Sequence, residues 1–241
     1  MAKQPLHFVC WLWRNGWNSV YDHRHVNRLQ RMLKRCLTRP FRLICITDDP
    51  TGIECDTFPL WDPLPVVTAV GKPNCYLRLK IFDPETQAQI FASGVGSFVS
   101  MDLDCVIRND ISSLFQHGET FKACRGYRSY INGSMWQLKL GAHADVWHDF
   151  NPAVTPAMLR ATEFSPGIAL SGSDQAWMSL KLAGCARWTE TDGVAQYLEM
   201  SSWSRRNPHP SMRIVFFCGR DKPWDPMIKM ERSPLYDPIQ A

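Results

Sequence analysis

The sequence Ser97-Phe-Val-Ser-Met-Asp-Leu-Asp-Cys-Val-Ile107 joins an apolar run, two carboxylates spaced by one residue and a second short apolar segment. We expect a buried strand that ends at the first carboxylate. In extended backbone this spacing directs the side chains of Asp102 and Asp104 to the same side. Such a pair offers a divalent cation hard oxygen ligands, and phosphate oxygens and water can complete the shell. Because an isolated Asp-x-Asp arises by chance in many chains, its position at a strand end is what indicates a site for a metal and a diphosphate.

The composition is that of an ordinary globular protein. The chain has 241 residues, of which 45% are hydrophobic and 21% are charged, and its formal net charge is +4. This length suits one large α/β domain or two small ones. The sequence has no run of about 18 or more apolar residues and no charged-then-apolar leader, so we expect neither a membrane span nor a secretory signal.

The nine cysteines are scattered, odd in number and without a Cys-x-x-Cys pair. Several lie inside apolar segments, where cysteine behaves as a small hydrophobic residue. This pattern indicates a reducing compartment and argues against a disulfide framework or a zinc site. The ten tryptophans either pack in the core and its grooves or form flat platforms on which sugars or bases stack.

Apolar runs and turn residues predict that strands and helices alternate in the first part of the chain. No linker, repeat or low-complexity tract divides the sequence, and it lacks both a P-loop and the glycine motif of dinucleotide-binding dehydrogenases. We therefore predict a single α/β domain that binds its ligand at the carboxyl ends of strands. The predicted strands are 6–13, 41–47, 97–101, 121–125, 130–138 and 213–218; the predicted helices are 19–38, 75–82, 141–150 and 174–182, the last capped by Ser173; 14–17 is a turn, 48–73 an irregular connection, 110–114 a short turn or helix, and 151–170 a loop.

The predicted helix 19–38 is amphipathic. Its apolar residues cluster on one face, whereas Arg24, Arg28, Arg31 and Arg35 form a narrow stripe almost opposite. Such a stripe is either a solvated face or a surface for an anionic partner, meaning nucleic acid or a phosphate-rich surface.

The order of these motifs resembles that of nucleotide-sugar glycosyltransferases of the GT-A fold. The nearest resemblance is to glycosyltransferase family 8, which includes glycogenin, galactinol synthase and bacterial galactosyltransferases. Each similar block is loose, but their shared order over roughly residues 6–225 is fairly specific. The blocks are Tyr76-Leu-Arg-Leu-Lys80, the Asp-x-Asp segment, Tyr130-Ile-Asn-Gly-Ser-Met135, Ser173-Asp-Gln175, and Phe216-Phe-Cys-Gly-Arg-Asp-Lys-Pro-Trp224, which is similar to the family's closing His-Phe-x-Gly-x-x-Lys-Pro-Trp.

The resemblance implies one GT-A-like domain over residues 1–241, with a mixed, mostly parallel sheet flanked by helices, a core at about 6–225 and a tail at 226–241. It implies a hexosyltransferase-type enzyme that takes a sugar from a nucleotide diphosphate sugar, with a UDP-sugar favoured, and retains the anomeric configuration. The residues it implies are Asp102 and Asp104 for Mn²⁺ or Mg²⁺; Arg78, Asp102, Asp104, Gly219 and Lys222 for the donor; and Asp174, Gln175 and Lys222 for catalysis.

These residue types suit the reaction. Breaking the bond from an anomeric carbon to a diphosphate develops negative charge on the phosphate, which a divalent ion and Lys222 would stabilise. Arg78 would neutralise the same site or orient the aspartates, and Gly219 would let backbone N–H groups approach phosphate closely. Simpler interpretations stay open: Asp174 would place negative charge at a helix N-terminus, and Lys222 would be a surface residue.

One position departs from the family pattern. The closing motif of the family begins with a histidine that ligates the metal, and this sequence has Phe216 there. Phenylalanine has no atom that can coordinate a metal. Either Asp102, Asp104, the diphosphate and water hold the ion alone, or His209 or Cys218 substitutes, or the site has lost its metal.

The leading hypothesis is therefore a metal-dependent glycosyltransferase whose acceptor is a glycan, a protein or modified DNA, in a bacterial or virus-infected host cytoplasm. The second hypothesis is a glycosyltransferase that acts on a modified base in DNA. That base would have to be flipped out of the duplex, and the arginine stripe together with the segment 204–213 would bind the nucleic acid. The third hypothesis is a non-catalytic nucleotide-sugar-binding module on a degenerate scaffold, which Phe216 motivates.

Overall fold

Strands and helices follow one another along the part of the chain that the computed structural model describes. The described residues are 4–13, 21–62, 66, 75–115, 118–126, 130–161, 163–165, 168–169, 173–217, 219, 221–230 and 234–237. The strands are β1 (Leu6–Leu12), β2 (Phe41–Thr47), β3 (Asp56–Pro59), β4 (Ser97–Met101), β5 (Cys105–Ile107), β6 (Phe121–Arg125), β7 (Ile131–Lys139), β8 (Glu163–Ser165), β9 (Ile168–Ala169), β10 (Ala186–Trp188), β11 (Val194–Gln196) and β12 (Ile214–Phe216). The α-helices are α1 (His23–Cys36), α2 (Pro84–Ile90), α3 (Asp145–His148), α4 (Thr155–Ala161), α5 (Asp174–Lys181), α6 (Ser202–Arg206) and α7 (Pro226–Met230), and the 3₁₀ helices are Cys75–Phe82, Ser112–Phe115, Glu190–Asp192 and Tyr197–Glu199.

The central sheet has the strand order β10-β6-β7-β4-β1-β2-β3 in the described residues. The pairings β1–β2, β1–β4, β2–β3 and β6–β10 are parallel, whereas β7 runs antiparallel to both β4 and β6. A smaller sheet has the order β11-β12-β5. The prediction of an α/β fold with a mixed, mostly parallel sheet flanked by helices is therefore confirmed.

The core lies on both faces of the central sheet. Side chains alternate along β1, so Phe8 and Cys10 pack with α1 residues such as Leu29, while Val9 and Trp11 join the cluster on the opposite face. Strands buried on both faces are apolar throughout rather than alternating. This explains why the continuous apolar runs at 6–13, 41–47 and 97–101 correctly predicted β1, β2 and β4.

Several predicted elements differ from the structure. The connection 48–73 contains the strand β3, and the predicted loop 151–170 contains α4, β8 and β9. The predicted helix 141–150 is helical only at α3, and the predicted turn 14–17 lies outside the described residues. Ser173 is the N-cap residue of α5, but its side chain makes no capping hydrogen bond, so the sequence predicted the position correctly and the contact wrongly.

The arginine stripe of α1 is not a purely solvated face. Arg28 is buried and donates a hydrogen bond from Nη2 to the carbonyl oxygen of Cys105 (3.0 Å), and it pairs with Asp237 (2.9 Å). Arg35 donates to the carbonyl oxygen of Ile107 (3.1 Å). These two arginines thus tie α1 to β5 by donating to strand carbonyls, Arg28 from a buried position and Arg35 from an exposed one. The stripe consequently gives little support to a nucleic-acid partner.

No helix in the described part of the chain is both long enough and apolar enough to cross a membrane.

Candidate active site

The two sheets meet where β4 ends. β4 ends at Met101, the backbone bends at Leu103 and Asp104, and β5 begins in the smaller sheet. The Asp102 N–H donates to the Ser134 carbonyl oxygen (2.8 Å), which fixes the bend against β7. The backbone between the two aspartates is therefore bent, and the extended conformation predicted from the sequence for this spacing is wrong. Leu103 is nevertheless buried in the core, and both carboxylates reach polar partners.

Arg78 connects two of the predicted site residues. It lies on the 3₁₀ helix Cys75–Phe82 and is buried. Its Nη1 donates to Asp102 Oδ1 (2.6 Å), while Nε (2.7 Å) and Nη2 (2.6 Å) both donate to Asp174 Oδ2. A planar guanidinium suits this arrangement because it presents several donors in fixed directions. Arg78 therefore positions both carboxylates at once.

Lys222 pairs with the other aspartate. Its Nζ lies 2.5 Å from Asp104 Oδ2, and the Tyr21 hydroxyl donates to the same oxygen (2.9 Å). Both side chains of the ion pair are largely buried, with exposed fractions of 13% for Lys222 and 11% for Asp104. The structure thus brings Lys222, predicted from a motif 118 residues further along the chain, directly to the Asp-x-Asp segment.

The site carries more negative than positive formal charge. Three carboxylates, Asp102, Asp104 and Asp174, are paired with two cations, Arg78 and Lys222, which leaves one formal negative charge. Burial and the neighbouring Asp104 and Asp174 charges raise the pKa of Asp102 to about 6, although Arg78 opposes the rise. Burial also raises the pKa of Asp174, again against Arg78.

Gln175 and Gly133 line the same region beside Asp174. The Gly133 N–H donates to Gln175 Oε1 (3.3 Å). A Cβ atom on Gly133 would lie only 2.9 Å from Arg78 Nη2, so a side chain here would displace the guanidinium. Asp174 itself is 1% exposed and receives both Arg78 donors, which makes it a partner of Arg78 rather than a group open to a ligand. Gln175 is only partly buried.

The closing segment 219–225 is anchored by aromatic contacts. The Trp224 ring packs edge-on against Tyr21 and His25, and the Arg28 guanidinium lies 5.5 Å from its centroid. Gly219 has a φ of +81°, a conformation that glycine adopts without the strain that a side chain would cause. These contacts hold the backbone that carries Lys222 against the N-terminal end of α1.

Phe216, at which the resemblance implied a histidine, packs in the core. Its backbone pairs with Cys105 in the antiparallel ladder of β12 and β5, and the following Phe217 N–H donates to the Asp104 carbonyl oxygen (2.8 Å). The Phe216 side chain is fully buried in the core cluster with Phe8 and Leu29. The backbone of this segment therefore lies against the Asp-x-Asp segment, and the Phe216 side chain contributes packing.

Solved structures with a similar backbone are glycosyltransferases. A glutamine-to-glutamate active-site mutant of LgtC matches 94% of this chain and 95% of its own, with a TM-score of 0.58 and 10% identity. The galactosyltransferase LgtC in complex with donor and acceptor sugar analogues matches 93% of this chain and 91% of its own (TM-score 0.57, 11% identity). Mouse xyloside xylosyltransferase 1 matches 88% of this chain and 97% of its own (TM-score 0.54, 12% identity). The chain has the GT-A fold. No protein-family model and no curated protein matches the sequence.

On this GT-A framework the two aspartates fit a divalent cation in part. They supply hard oxygen atoms next to a surplus negative charge, which favours Mn²⁺ or Mg²⁺. No group of three or more His, Cys, Asp or Glu side chains that could hold a metal occurs within the described residues. His209 is exposed and its Nδ1 lies against Ser211 Oγ (2.6 Å), while Cys218 lies outside the described residues. The remaining ligands would therefore have to be diphosphate oxygens and water.

Sequence reasoning missed two contributors to the site. Tyr21, whose hydroxyl contacts Asp104, falls inside the predicted helix 19–38, and no motif marks it. Ser134 accepts from the Asp102 N–H at its backbone carbonyl, and its side chain also hydrogen-bonds Asp102, which opposes the rise in the pKa of that carboxyl. The only available signal for Tyr21 was its position directly before Asp22, the N-cap of α1.

Proposed function

We propose that the protein is a glycosyltransferase of the hexosyltransferase type that uses a nucleotide diphosphate sugar, with a UDP-sugar favoured. The observation that carries this proposal is the junction of Asp102 and Asp104 with Arg78 and Lys222 at a strand end of the GT-A fold. It combines oxygen ligands for a divalent cation with two side-chain cations suited to a diphosphate. The similar LgtC structure contains donor and acceptor sugar analogues, which supports the same ligand classes here.

In this proposal Mn²⁺ or Mg²⁺ would be held by Asp102 and Asp104 and would supply Lewis-acid stabilisation of the diphosphate. The bond from the anomeric carbon to the diphosphate oxygen breaks, and its electron pair goes to the diphosphate. The acceptor oxygen bonds to the same carbon and loses its proton to the diphosphate or to water. Lys222 neutralises the charge that develops on the leaving group, and the resemblance to family 8 favours retention of configuration.

The scheme assigns different roles to Arg78, Asp174 and Gln175. Asp174 holds Arg78, and Arg78 in turn orients Asp102, so both are positioning residues. Gln175 is more accessible than Asp174, and we assign it to the sugar ring. The glutamine-to-glutamate mutant of LgtC is described as an active-site mutant, which supports a glutamine in such a role. Gly219 leaves room for phosphate near the backbone.

The test is a panel of nucleotide sugars with Mn²⁺ or Mg²⁺, scored by thermal shift and by donor hydrolysis. A donor at about a hundred times its dissociation constant stabilises the fold by about 2.7 kcal/mol, which raises the melting temperature by roughly 5–10 °C for a chain of this size. Asp102→Asn and Asp104→Asn should abolish turnover and leave the fold intact. The control is Asp56→Asn, which removes an exposed carboxylate that pairs with Arg42 on strand β2.

Each outcome is decisive for one hypothesis. Turnover that survives in both aspartate variants contradicts the assignment of the site. A donor that binds without hydrolysis or transfer, with or without metal, favours the non-catalytic module instead. Acceptors are then tested in three classes, namely glycans, proteins and DNA with modified bases. A salt-dependent affinity for DNA would favour the third class, and no DNA binding at low salt removes it.

A further inference from the structure

Lys222 and a divalent cation need the same oxygen atom. Lys222 Nζ lies 2.5 Å from Asp104 Oδ2, and the Tyr21 hydroxyl also donates to that oxygen. The ammonium group can only donate, and the Tyr21 hydroxyl also donates here, so both occupy lone pairs of this oxygen that a metal would otherwise use. A divalent ion that binds through Asp104 Oδ2 must therefore displace Lys222 or bind beside it against charge repulsion.

The lysine can leave without disturbing the fold around it. The Lys222 backbone is fixed by its N–H, which donates to Asp225 Oδ2 (2.6 Å), and by Trp224, which packs on Tyr21 and His25. The charged end is held by one carboxylate and by a longer contact to the Phe217 carbonyl oxygen (3.4 Å). A long flexible stem lets an ammonium group move while its backbone stays in place.

We infer that Lys222 and the divalent cation compete for Asp104, and that the donor diphosphate resolves the competition by taking the ammonium group. This inference rests on the proposed function, because it needs a diphosphate beside the carboxylates. Without nucleotide, Lys222 occupies Asp104 and keeps metal affinity low. With nucleotide, the ammonium group pairs with phosphate oxygens and releases Asp104, so Asp102 and Asp104 would both be available to hold the metal.

The competition predicts a coupling that can be measured from both sides. A nucleotide diphosphate should tighten metal binding, and the metal should tighten nucleotide binding by the same factor. A rival explanation gives the same coupling: with Phe216 in place of a histidine, the nucleotide simply supplies missing ligands. The two explanations differ in what happens to metal affinity without nucleotide when Lys222 loses its charge.

The experiment is a titration of the full chain with Mn²⁺ alone, followed by the electron paramagnetic resonance signal of free Mn²⁺, and repeated with UDP. The proteins are the wild type, Lys222→Met and Lys222→Gln, with Lys229→Met as the control. Lys229 is an exposed lysine of the nearby helix α7 that packs over Tyr236. Lys229→Met changes the net charge by the same amount as the Lys222 variants. In the described part of the chain, Lys229 forms no ion pair with Asp102, Asp104 or Asp174.

We expect both Lys222 variants to bind Mn²⁺ without nucleotide on the order of tenfold more tightly than the wild type, because one charge-assisted hydrogen bond no longer competes. UDP should then tighten Mn²⁺ binding less than it does in the wild type. Unchanged Mn²⁺ affinity in folded Lys222 variants overturns the inference, as does an equal gain in Lys229→Met or a lack of Mn²⁺ binding in every protein. A gain in the Lys222 variants without any response to nucleotide sugars keeps the competition and removes the donor assignment, so the two proposals fail separately.

Discussion

Removal of Arg78 tests the central ion pair of the site. Arg78→Met keeps much of the side-chain volume but leaves Asp174 without the two N–H donors that its Oδ2 accepts, at 1% exposure. Breaking a buried pair by deleting one partner costs about 3–5 kcal/mol, because a charge stays buried and uncompensated. Natural domains have about 5–15 kcal/mol of stability in total, so the variant should remain folded and measurably weakened.

The loss of unfolding free energy in Arg78→Met has an upper limit that depends on pH. The variant can avoid a buried charge by protonating Asp174, and this costs about 1.4 kcal/mol for every pH unit above an ordinary pKa near 3.9. The upper limit is thus about 4 kcal/mol at pH 7 and about 1.5 kcal/mol at pH 5. Burial already raises the pKa of Asp174 in the wild type. In the variant this raised pKa means that the folded state binds the proton more tightly, so stability is regained as pH falls and lost as pH rises.

Urea unfolding at pH 7 and pH 5 measures the effect. Arg78→Met should lose about 3–4 kcal/mol at pH 7 and less than half of that at pH 5. Adding Asp174→Asn should restore part of the loss at pH 7 and remove its pH dependence, because the buried charge is gone. Arg42→Met is the control, since the exposed Arg42–Asp56 pair is worth at most about 1 kcal/mol. A loss below about 1 kcal/mol, or an equal loss at both pH values, would refute the reasoning.

Two further predictions concern the surroundings of the site. Gly133→Ala places a Cβ 2.9 Å from Arg78 Nη2, so donor-induced thermal shift and turnover should fall, while Gly96→Ala, with open space around it, should leave both unchanged; equal effects would contradict the steric argument. Asp22 caps α1 and, although partial burial opposes it, hydrogen bonds from Arg24 and His25 lower its pKa to about 2. Asp22→Ala should therefore cost about 1 kcal/mol at pH 7. Asp22→Asn keeps the cap but has no carboxyl to protonate, so in urea unfolding the wild type should lose more stability than this variant between about pH 4 and pH 2.

The sequence predicted β1, β2, β4, β6 and β7 of the central sheet because buried apolar residues dominate most of them. The three-residue strand β10 (Ala186–Trp188) is too short to carry such a pattern and was not predicted. The sequence also missed β3, whose residues Asp56–Pro59 form an edge strand that is largely exposed, so no apolar pattern marks it. It also treated Arg28 as a stripe residue. Periodicity places an arginine on a helix face, but only the fold reveals that strand carbonyls and Asp237 lie within its reach.

The sequence indicated the charged residues that the structure brings together, but it could not predict which of them pair. The spacing of Asp102 and Asp104 indicated a shared cation site, and the resemblance added Arg78, Asp174 and Lys222. The partners of each carboxylate are 24 and 118 residues away in sequence, and nothing local encodes which cation meets which aspartate. The structure supplies this, and it arranges the candidate ligands into three ion pairs around two cations: Arg78 pairs with Asp102 and Asp174, and Lys222 pairs with Asp104.

The difference between those ion pairs separates the structural from the exchangeable part of the site. Arg78 is held by three short hydrogen bonds to two carboxylates, of which Asp174 is almost inaccessible. Releasing Arg78 would leave the Asp174 charge buried without a partner cation, which would destabilise the fold. Lys222 pairs with a single carboxylate oxygen and has only a longer contact to the Phe217 carbonyl oxygen (3.4 Å). A donor site must stay assembled without ligand and still accept a charged one. Under the function that we propose, the first requirement falls on Arg78 and Asp174, and the second falls on Lys222 and Asp104.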